Sequence, residues 1–154
     1  MTAVRRMIAE VLTLPEAIVF DANNMQDVSK LDHFVTVLNS YQSDIGTELK
    51  FNGIDEEESA STVREVTISV NAYGKNSYDL LCKLTESMRL TPVWQRLKSL
   101  GMGYLRCSQI RSLPTAIAGG KEERAHVDLI FSINPIVKIS VNRGDTVNFN
   151  LIRG

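Results

Sequence analysis

The feature that most constrains the fold is a two-residue alternation of apolar and polar side chains that follows residue 62. Its apolar positions are Val66, Ile68, Val70 and Ala72, with polar residues between them. Successive side chains of a β-strand point to opposite faces of the sheet, so this spacing predicts a strand with one buried face. A sheet with one apolar face needs a second layer to cover it.

Three segments with helical spacing can supply that layer. The first spans residues 3 to 13, with Thr2 as its N-cap, and the second runs from about residue 78 to residue 90. The third opens with Thr91 as N-cap and Pro92 at the first helical position. The apolar side chains at helical spacing are Val4, Met7, Ile8, Val11 and Leu12 in the first helix, Tyr78, Leu80, Leu81, Leu84 and Met88 in the second, and Val93, Trp94, Leu97 and Leu100, expected to face inward, in the third.

Further strands are predicted on both sides of the helices. The order of elements is helix, two strands, two helices and four strands, which predicts a single α+β domain over residues 1–154. Its mostly antiparallel sheet would carry the N-terminal helix and the central helix pair on one face. The other strands are expected at 32–39, 104–110, 125–133, 137–141 and 147–151, the last two forming a C-terminal β-hairpin at about 136–152.

A polar, acidic segment separates the first two predicted strands. Its part from about 51 to 61 contains the run Asp55, Glu56, Glu57 and Glu58 and is interpreted as an exposed loop or arm. The run lacks the alternating Asp/Asn spacing and the terminal Glu of a calcium loop, so no metal site is predicted there.

Charge is distributed unevenly along the chain. Residues 21–66 hold ten acidic and three basic residues, whereas residues 67–154 hold six acidic and twelve basic ones. Flanks of opposite sign would suit head-to-tail contact between copies of the chain. The alternative is an acidic, solvated loop beside an ordinary surface.

Composition excludes several classes of protein. With 44% hydrophobic and 23% charged residues, the chain matches an ordinary globular domain. A net charge of −1 argues against a partner held mainly through phosphates. No apolar run approaches the ~20 residues that span a bilayer, so no membrane partner is expected. Cys82 and Cys107 lack metal or redox spacing and are expected to be small buried hydrophobic residues.

No constellation for catalysis or cofactor binding is evident. The two histidines, His33 and His126, are far apart in the sequence, and His126 is interpreted as an edge or surface residue. The glycines at 119 and 120 do not have phosphate-loop spacing, and the Arg143-Gly144-Asp145 tripeptide suits a hairpin turn. We therefore expect neither an enzyme nor a cofactor site.

An ordered series of short motifs resembles the phage neck and tail-terminator family. The resemblance covers residues 64–133 together with the N-terminal helix and its exit to Phe20. The motifs are Arg64-Glu65-Val66-Thr67-Ile68-Ser69-Val70, Tyr73-Gly74, the Leu80/Leu84 helix, Trp94 to Leu97, Gly101-Met102-Gly103-Tyr104, Arg111-Ser112-Leu113-Pro114 and Arg124-Ala125-His126-Val127-Asp128-Leu129.

The resemblance implies a structural virion protein assembled in the host bacterial cytoplasm. Such proteins form rings, commonly hexamers, at the head-proximal end of a tail. There they end polymerisation of the tail-tube protein and dock on the head-tail connector protein, and in contractile tails they also meet the sheath protein. DNA would only pass through the lumen. In such a ring we expect Arg111, Arg124 and Gly144 at contacts between subunits, and the acidic residues 55–58 towards the lumen or an axial neighbour.

Three alternatives remain open at this point. A head-completion or connector protein of the same neck would bind filled heads rather than tail tubes. A small-molecule or peptide-binding module would be a stable monomer with a deep apolar pocket. An enzyme would need convergent titratable groups that the sequence does not provide.

Overall fold

The computed structural model describes residues 1–54, 56–117, 120–141 and 147–153 of the chain. Three α-helices lie on one face of a mixed, mostly antiparallel sheet of eight strands, so the predicted α+β class is confirmed. The helices are α1 (Thr2–Leu12), α2 (Ser77–Ser87) and α3 (Thr91–Ser99). The strands are β1 (Val19–Asp21), β2 (Phe34–Asn52), β3 (Glu57–Tyr73), β4 (Met102–Cys107), β5 (Arg111–Ser112), β6 (Thr115–Ile117), β7 (Gly120–Glu122), β8 (Arg124–Ile133), β9 (Pro135–Val141) and β10 (Val147–Arg153).

The centre of the sheet is the antiparallel pair β3 and β8. Val66 is paired with Phe131, and Val70 with Val127, and all four side chains are buried. The alternation predicted for both strands is therefore confirmed. These residues define the helix-side face of the sheet, and the residues between them define its outer face. The strand order is β1-β2-β3-β8-β4, with β1 parallel to β2.

Helix α1 covers one end of this face. It buries Val4, Met7, Ile8, Ala9 and Leu12, which recur every three or four residues. Thr2 is already helical and Met1 occupies the N-cap position, so the prediction of Thr2 as N-cap is wrong. The helix ends at Thr13, whose left-handed backbone (φ 58°) lets two amide-carbonyl bonds close its last turn.

Helix α3 presents a narrower apolar stripe to the sheet than its sequence indicates. Leu97 is fully buried, but Trp94 is 57% exposed and Leu100 37% exposed, so the prediction that both face inward is wrong. Val93 and Leu97 lie four residues apart and form the inward stripe. Trp94 follows Val93 by one residue, and a rotation of about 100° carries it out of that stripe. The N-cap is Leu90 rather than the predicted Thr91.

The largest departure from prediction is the length of the β2–β3 hairpin. The pairing extends from Phe34 with Tyr73 to Asn52 with Glu57, through two bulges. Paired strand therefore replaces the polar connection expected at residues 40–50. It also replaces part of the expected loop or arm, at residues 51, 52 and 57–61. Because both faces of this extension meet solvent, the sequence lacks the apolar alternation that identifies a half-buried strand.

Two late strands widen the same extension. Residues 135–141 of β9 lie antiparallel to β10, and β9 also pairs with residues 57–61 of β3. The turn predicted between them, including Gly144, lies outside the described residues. Strands β6 and β7 form a separate two-stranded ribbon that the sequence does not predict.

Candidate assembly surfaces

The extension of the sheet, which we call the arm, consists of residues 40–63 together with β9 and β10. Large apolar side chains that would normally be buried are exposed along it: Tyr41 (64%), Ile45 (58%), Leu49 (68%), Phe51 (68%) and Ile54 (94%). Single exposed apolar residues are ordinary, but a concentration of them on one element marks a contact surface. The arm is therefore the first candidate surface.

Register places two of these residues on the helix-side face of the arm. Leu49 lies opposite Ala60 and Phe51 opposite Glu58, and both pairs continue the face that carries Val66 in the domain. We call these two rows the arm plate: Leu49 and Ala60 in one, and Phe51 and Glu58 in the other.

A second surface is the polar outer face of β3 and β8. His126 Nε2 lies 3.0 Å from Asp128 Oδ1, and its Nδ1 lies 3.0 Å from Asn71 Oδ1. Ser69 donates to the same Asp128 oxygen at 2.6 Å and lies 2.9 Å from the hydroxyl of Ser40. His126 thus lies on a central strand rather than at an edge of the sheet. It is on the outer surface, as the other predicted alternative has it, and is 23% exposed within a hydrogen-bonded network.

Arg111 and Arg124, the predicted contact residues, both lie at this outer face. Arg124 is half-buried: its Nη2 donates to Asn71 at 3.1 Å and its guanidinium stands 5.1 Å above the Tyr73 ring. Arg111 is exposed on β5, in register with His126. Arg111 therefore offers a solvated charge, whereas Arg124 already has partners within its own subunit.

The described residues of the acidic run, Glu56 to Glu58, lie at the tip of the arm. Glu56 is half-buried with a left-handed backbone (φ 50°), Glu57 is half-buried in β3, and Glu58 is exposed within the arm plate. Asp55 lies outside the described residues. The described part of the run, Glu56 to Glu58, thus lies at the end of the β2–β3 hairpin.

Some charges of the acidic segment are paired within the chain. Arg106 forms two hydrogen bonds with Glu65, at 3.1 and 3.3 Å, and Arg64 lies 2.9 Å from Asp44. All four side chains lie on or beside the base of the arm. Of these two pairs, only Arg106 with Glu65 joins the basic and the acidic flank predicted from the sequence, because Arg64 and Asp44 both belong to the acidic segment. Exposed ion pairs of this kind contribute about 0–1 kcal/mol each.

The cysteines and the tyrosine near them belong to the packed domain. Cys82 and Cys107 are free and half-buried, whereas the sequence predicts small buried residues. Burial raises the pKa of Tyr104 well above its ordinary value, and a hydrogen bond with Cys107 adds to the effect. The Tyr104 ring packs edge-on against Phe131 at 5.9 Å, so this group stabilises the core.

Where the arm leaves the domain, an open groove of about 410 Å³ lies beside the end of α3. It is lined by Val63, Lys98, Gly101, Met102, Gly103, Ser132, Ile133 and Asn134.

In the described part of the chain, no cluster of three or more His, Cys, Asp or Glu side chains could hold a metal ion. Over the same residues, no helix has the length and hydrophobicity needed to cross a membrane.

Together these features define a small α+β protein whose sheet extends beyond its own helical layer, a shape typical of subunits that assemble with other chains. The family model described as phage neck terminator protein matches residues 1–154, and the chain belongs to that family. The match includes residues 134–154, beyond the motifs that carry the resemblance. No curated protein matches the chain. The protein is thus a phage neck component of the virion, from a structural rather than catalytic family.

Proposed function

We propose that this chain forms a closed ring at the head-proximal end of the phage tail, ends polymerisation of the tail tube, and joins the tail to the head connector. The observation that carries the proposal is the arm, on which Leu49 and Phe51 (each 68% exposed) and Ile54 (94%) meet solvent in a single subunit. A head-to-tail contact that buries such an element in the next copy is heterologous, and it generates a ring when the rotation closes.

Ring assembly would take place in the host bacterial cytoplasm, with six copies as the expected number. The partners are the tail-tube protein, the head-tail connector protein and, in a contractile tail, the sheath protein. DNA passes through the lumen without being retained. The formal net charge of −1 supports this role, because a strongly basic chain would hold the DNA backbone.

Two features of the arm would serve contacts beyond the subunit. The acidic tip, Asp55 to Glu58, faces the lumen or an axial neighbour, where its charge repels DNA. The hairpin that contains Gly144 brings strand β10 to the edge of an adjacent subunit's sheet, since an unpaired edge strand is a template for pairing. The position of β10 beyond β9 supports the second contact.

Charge reversal at Arg111 is expected to weaken ring formation. Arg111 is exposed at the outer face, where it would pair with an acidic residue of the next subunit. We expect Arg111→Glu to raise the concentration for half-assembly about 5-fold, most strongly at low salt, because salt screens such pairs. Arg124→Glu should act more strongly, since it also breaks the bond to Asn71.

Lys30→Glu provides a matched control, because it makes the same change of charge at an exposed residue in the segment before β2. Assembly would be followed by light scattering at low and moderate salt. Normal assembly of both arginine variants at both salt concentrations would show that these charge pairs do not hold the ring together.

Termination is tested by adding the purified protein to polymerising tail tubes and measuring tube length by electron microscopy. We expect growth to stop, with protein at one end of each tube. Tubes of unchanged length would overturn termination. If the protein bound filled heads and left tube growth unaffected, it would instead be a head-completion or connector protein.

A further inference from the structure

We propose that the arm plate of one subunit packs on the outer surface of helix α3 of a second copy, with Trp94 at the centre of the contact. The inference rests on the proposed ring and names the two surfaces that close it. Each surface is exposed in a single subunit: Leu49 and Phe51 are 68% exposed on the plate, and Leu90 and Trp94 are 57% exposed at α3.

The sheet continues from the domain into the arm without interruption of β3. The helix-side face of β3 and β8 is covered by the chain's own helices as far as Val66 and Phe131. The arm plate is the same face of the same sheet, continued past the last helix. Because three of the four residues in its two rows are apolar, its surface chemistry suits a helix laid upon it.

The α3 surface complements the plate in shape and charge. Leu90, the N-cap residue, and Trp94 are four residues apart, and both side chains are 57% exposed whereas Leu97 is buried. Exposed Arg89 and Lys98 flank this pair. The arm plate has the opposite sign, with Glu58 exposed in its second row. An apolar centre with a basic flank therefore meets an apolar plate with an acidic flank.

The arm reaches beyond its own domain. Its residues 46–52 pair with residues 57–63 past Arg64 and Ile133, the last pair of β3 with β8. At ~3.3 Å per residue this part is about 20 Å long, more than the ~15 Å radius of gyration expected for a compact chain of this length. Helix α3 packs on β4, near the base of the arm rather than its tip. The plate of one copy can thus lie across a neighbour, and the contact joins two different surfaces as a ring requires.

Trp94 is the only tryptophan in the chain and reports directly on the contact. The protein would be labelled with 5-fluorotryptophan and followed by fluorine NMR, alone and with unlabelled tail tubes, so that tryptophans of the tube protein do not contribute. We expect the Trp94 resonance to shift and broaden on assembly and to lose its sensitivity to solvent.

Phe51→Ser should raise the concentration for half-assembly about 30-fold or more, the effect of losing a central aromatic anchor. Tyr41→Ser is the matched control, because Tyr41 is 64% exposed on the same arm but in register with Thr67, on the outer face. It should assemble within about 3-fold of the natural chain. Lys98→Glu should weaken assembly, and Glu58→Lys combined with it should restore most of the loss.

The possible outcomes distinguish a failure of this contact from a failure of the proposed ring. Assembly with an unchanged Trp94 resonance, or equal damage from Tyr41→Ser and Phe51→Ser, would overturn this contact and leave the ring standing. Loss of tube binding by Phe51→Ser with Trp94 unaffected would assign the plate to the tube protein instead. A natural chain that stays monomeric with and without tubes would overturn the ring, and this contact with it.

Discussion

Replacing Gly74 with alanine is expected to destabilise the folded chain by about 3 kcal/mol or more. Gly74 joins β3 to α2 with φ +106°, a conformation that costs other residues about 1–3 kcal/mol. A Cβ there would lie 2.4 Å from the backbone oxygen of Asp32 and 2.8 Å from the Cβ of His33. The Gly74 amide also donates to the carbonyl of Glu123 at 2.9 Å, so the backbone has little freedom to move away.

Urea unfolding followed by circular dichroism measures this loss, and Gly46→Ala on the arm is the control. A Cβ at Gly46 would meet no atom within 4 Å, and its φ lies outside the left-handed region. We expect its free energy of unfolding to stay within about 0.5 kcal/mol of that of the natural chain. Equal urea midpoints for the two variants would contradict the close approach of Asp32 and His33, which precede β2, to Gly74.

Phe131→Ala is expected to cost about 3–5 kcal/mol of stability, because it leaves a cavity at the centre of the domain. Phe131 is fully buried on the helix-side face of β8, opposite Val66 and edge-on to Tyr104. Few neighbours can collapse into the space, since strands lie on both sides. Such a loss is a large fraction of the 5–15 kcal/mol that stabilises an ordinary domain.

The matched substitution, Phe51→Ala, removes the same ring from a site that is 68% exposed. Its unfolding free energy should change by less than about 0.5 kcal/mol, while its assembly is impaired. Unfolding curves and light scattering on both variants therefore separate folding from assembly. If Phe51→Ala unfolded as easily as Phe131→Ala, the arm would belong to the folding core rather than to an interface.

The sequence predicts the packed domain well because burial imposes a period on it. Helices α1 and α2 and strands β3 and β8 each place apolar residues on one covered face, and the periods of 3.6 and 2 are visible in the chain. The buried alternation from Ala125 to Phe131 is an example. The parallel pairing of β1 with β2 is not visible in this way, because it joins segments through contacts between distant residues.

The arm escapes prediction for the opposite reason. Its strands are solvated on both faces of a single subunit, so no alternation marks the segment between Ser40 and Asn52. Trp94 shows the complementary difficulty, because its apolar character suggests the core while its helical position turns it outward. In the sequence, an apolar residue that contacts another chain cannot be distinguished from an apolar residue that packs in the core.

Charge illustrates the same point at the candidate surfaces. The count of acidic and basic residues indicates oppositely charged flanks, yet Arg106 with Glu65 and Arg64 with Asp44 pair within the subunit. Only the three-dimensional arrangement separates these charges from exposed ones such as Arg111 and Glu58. The sequence could identify the residue types of an interface but not which of them remain available to it.

The most direct test of the account is the mass of the purified protein in solution, measured by light scattering with and without polymerised tail tubes. A family member whose arm stays uncovered in one subunit should bury it by assembling. We predict a ring-sized species, present either in the protein alone or only with tubes whose growth it halts. A strict monomer that is indifferent to tubes and to filled heads would contradict the account.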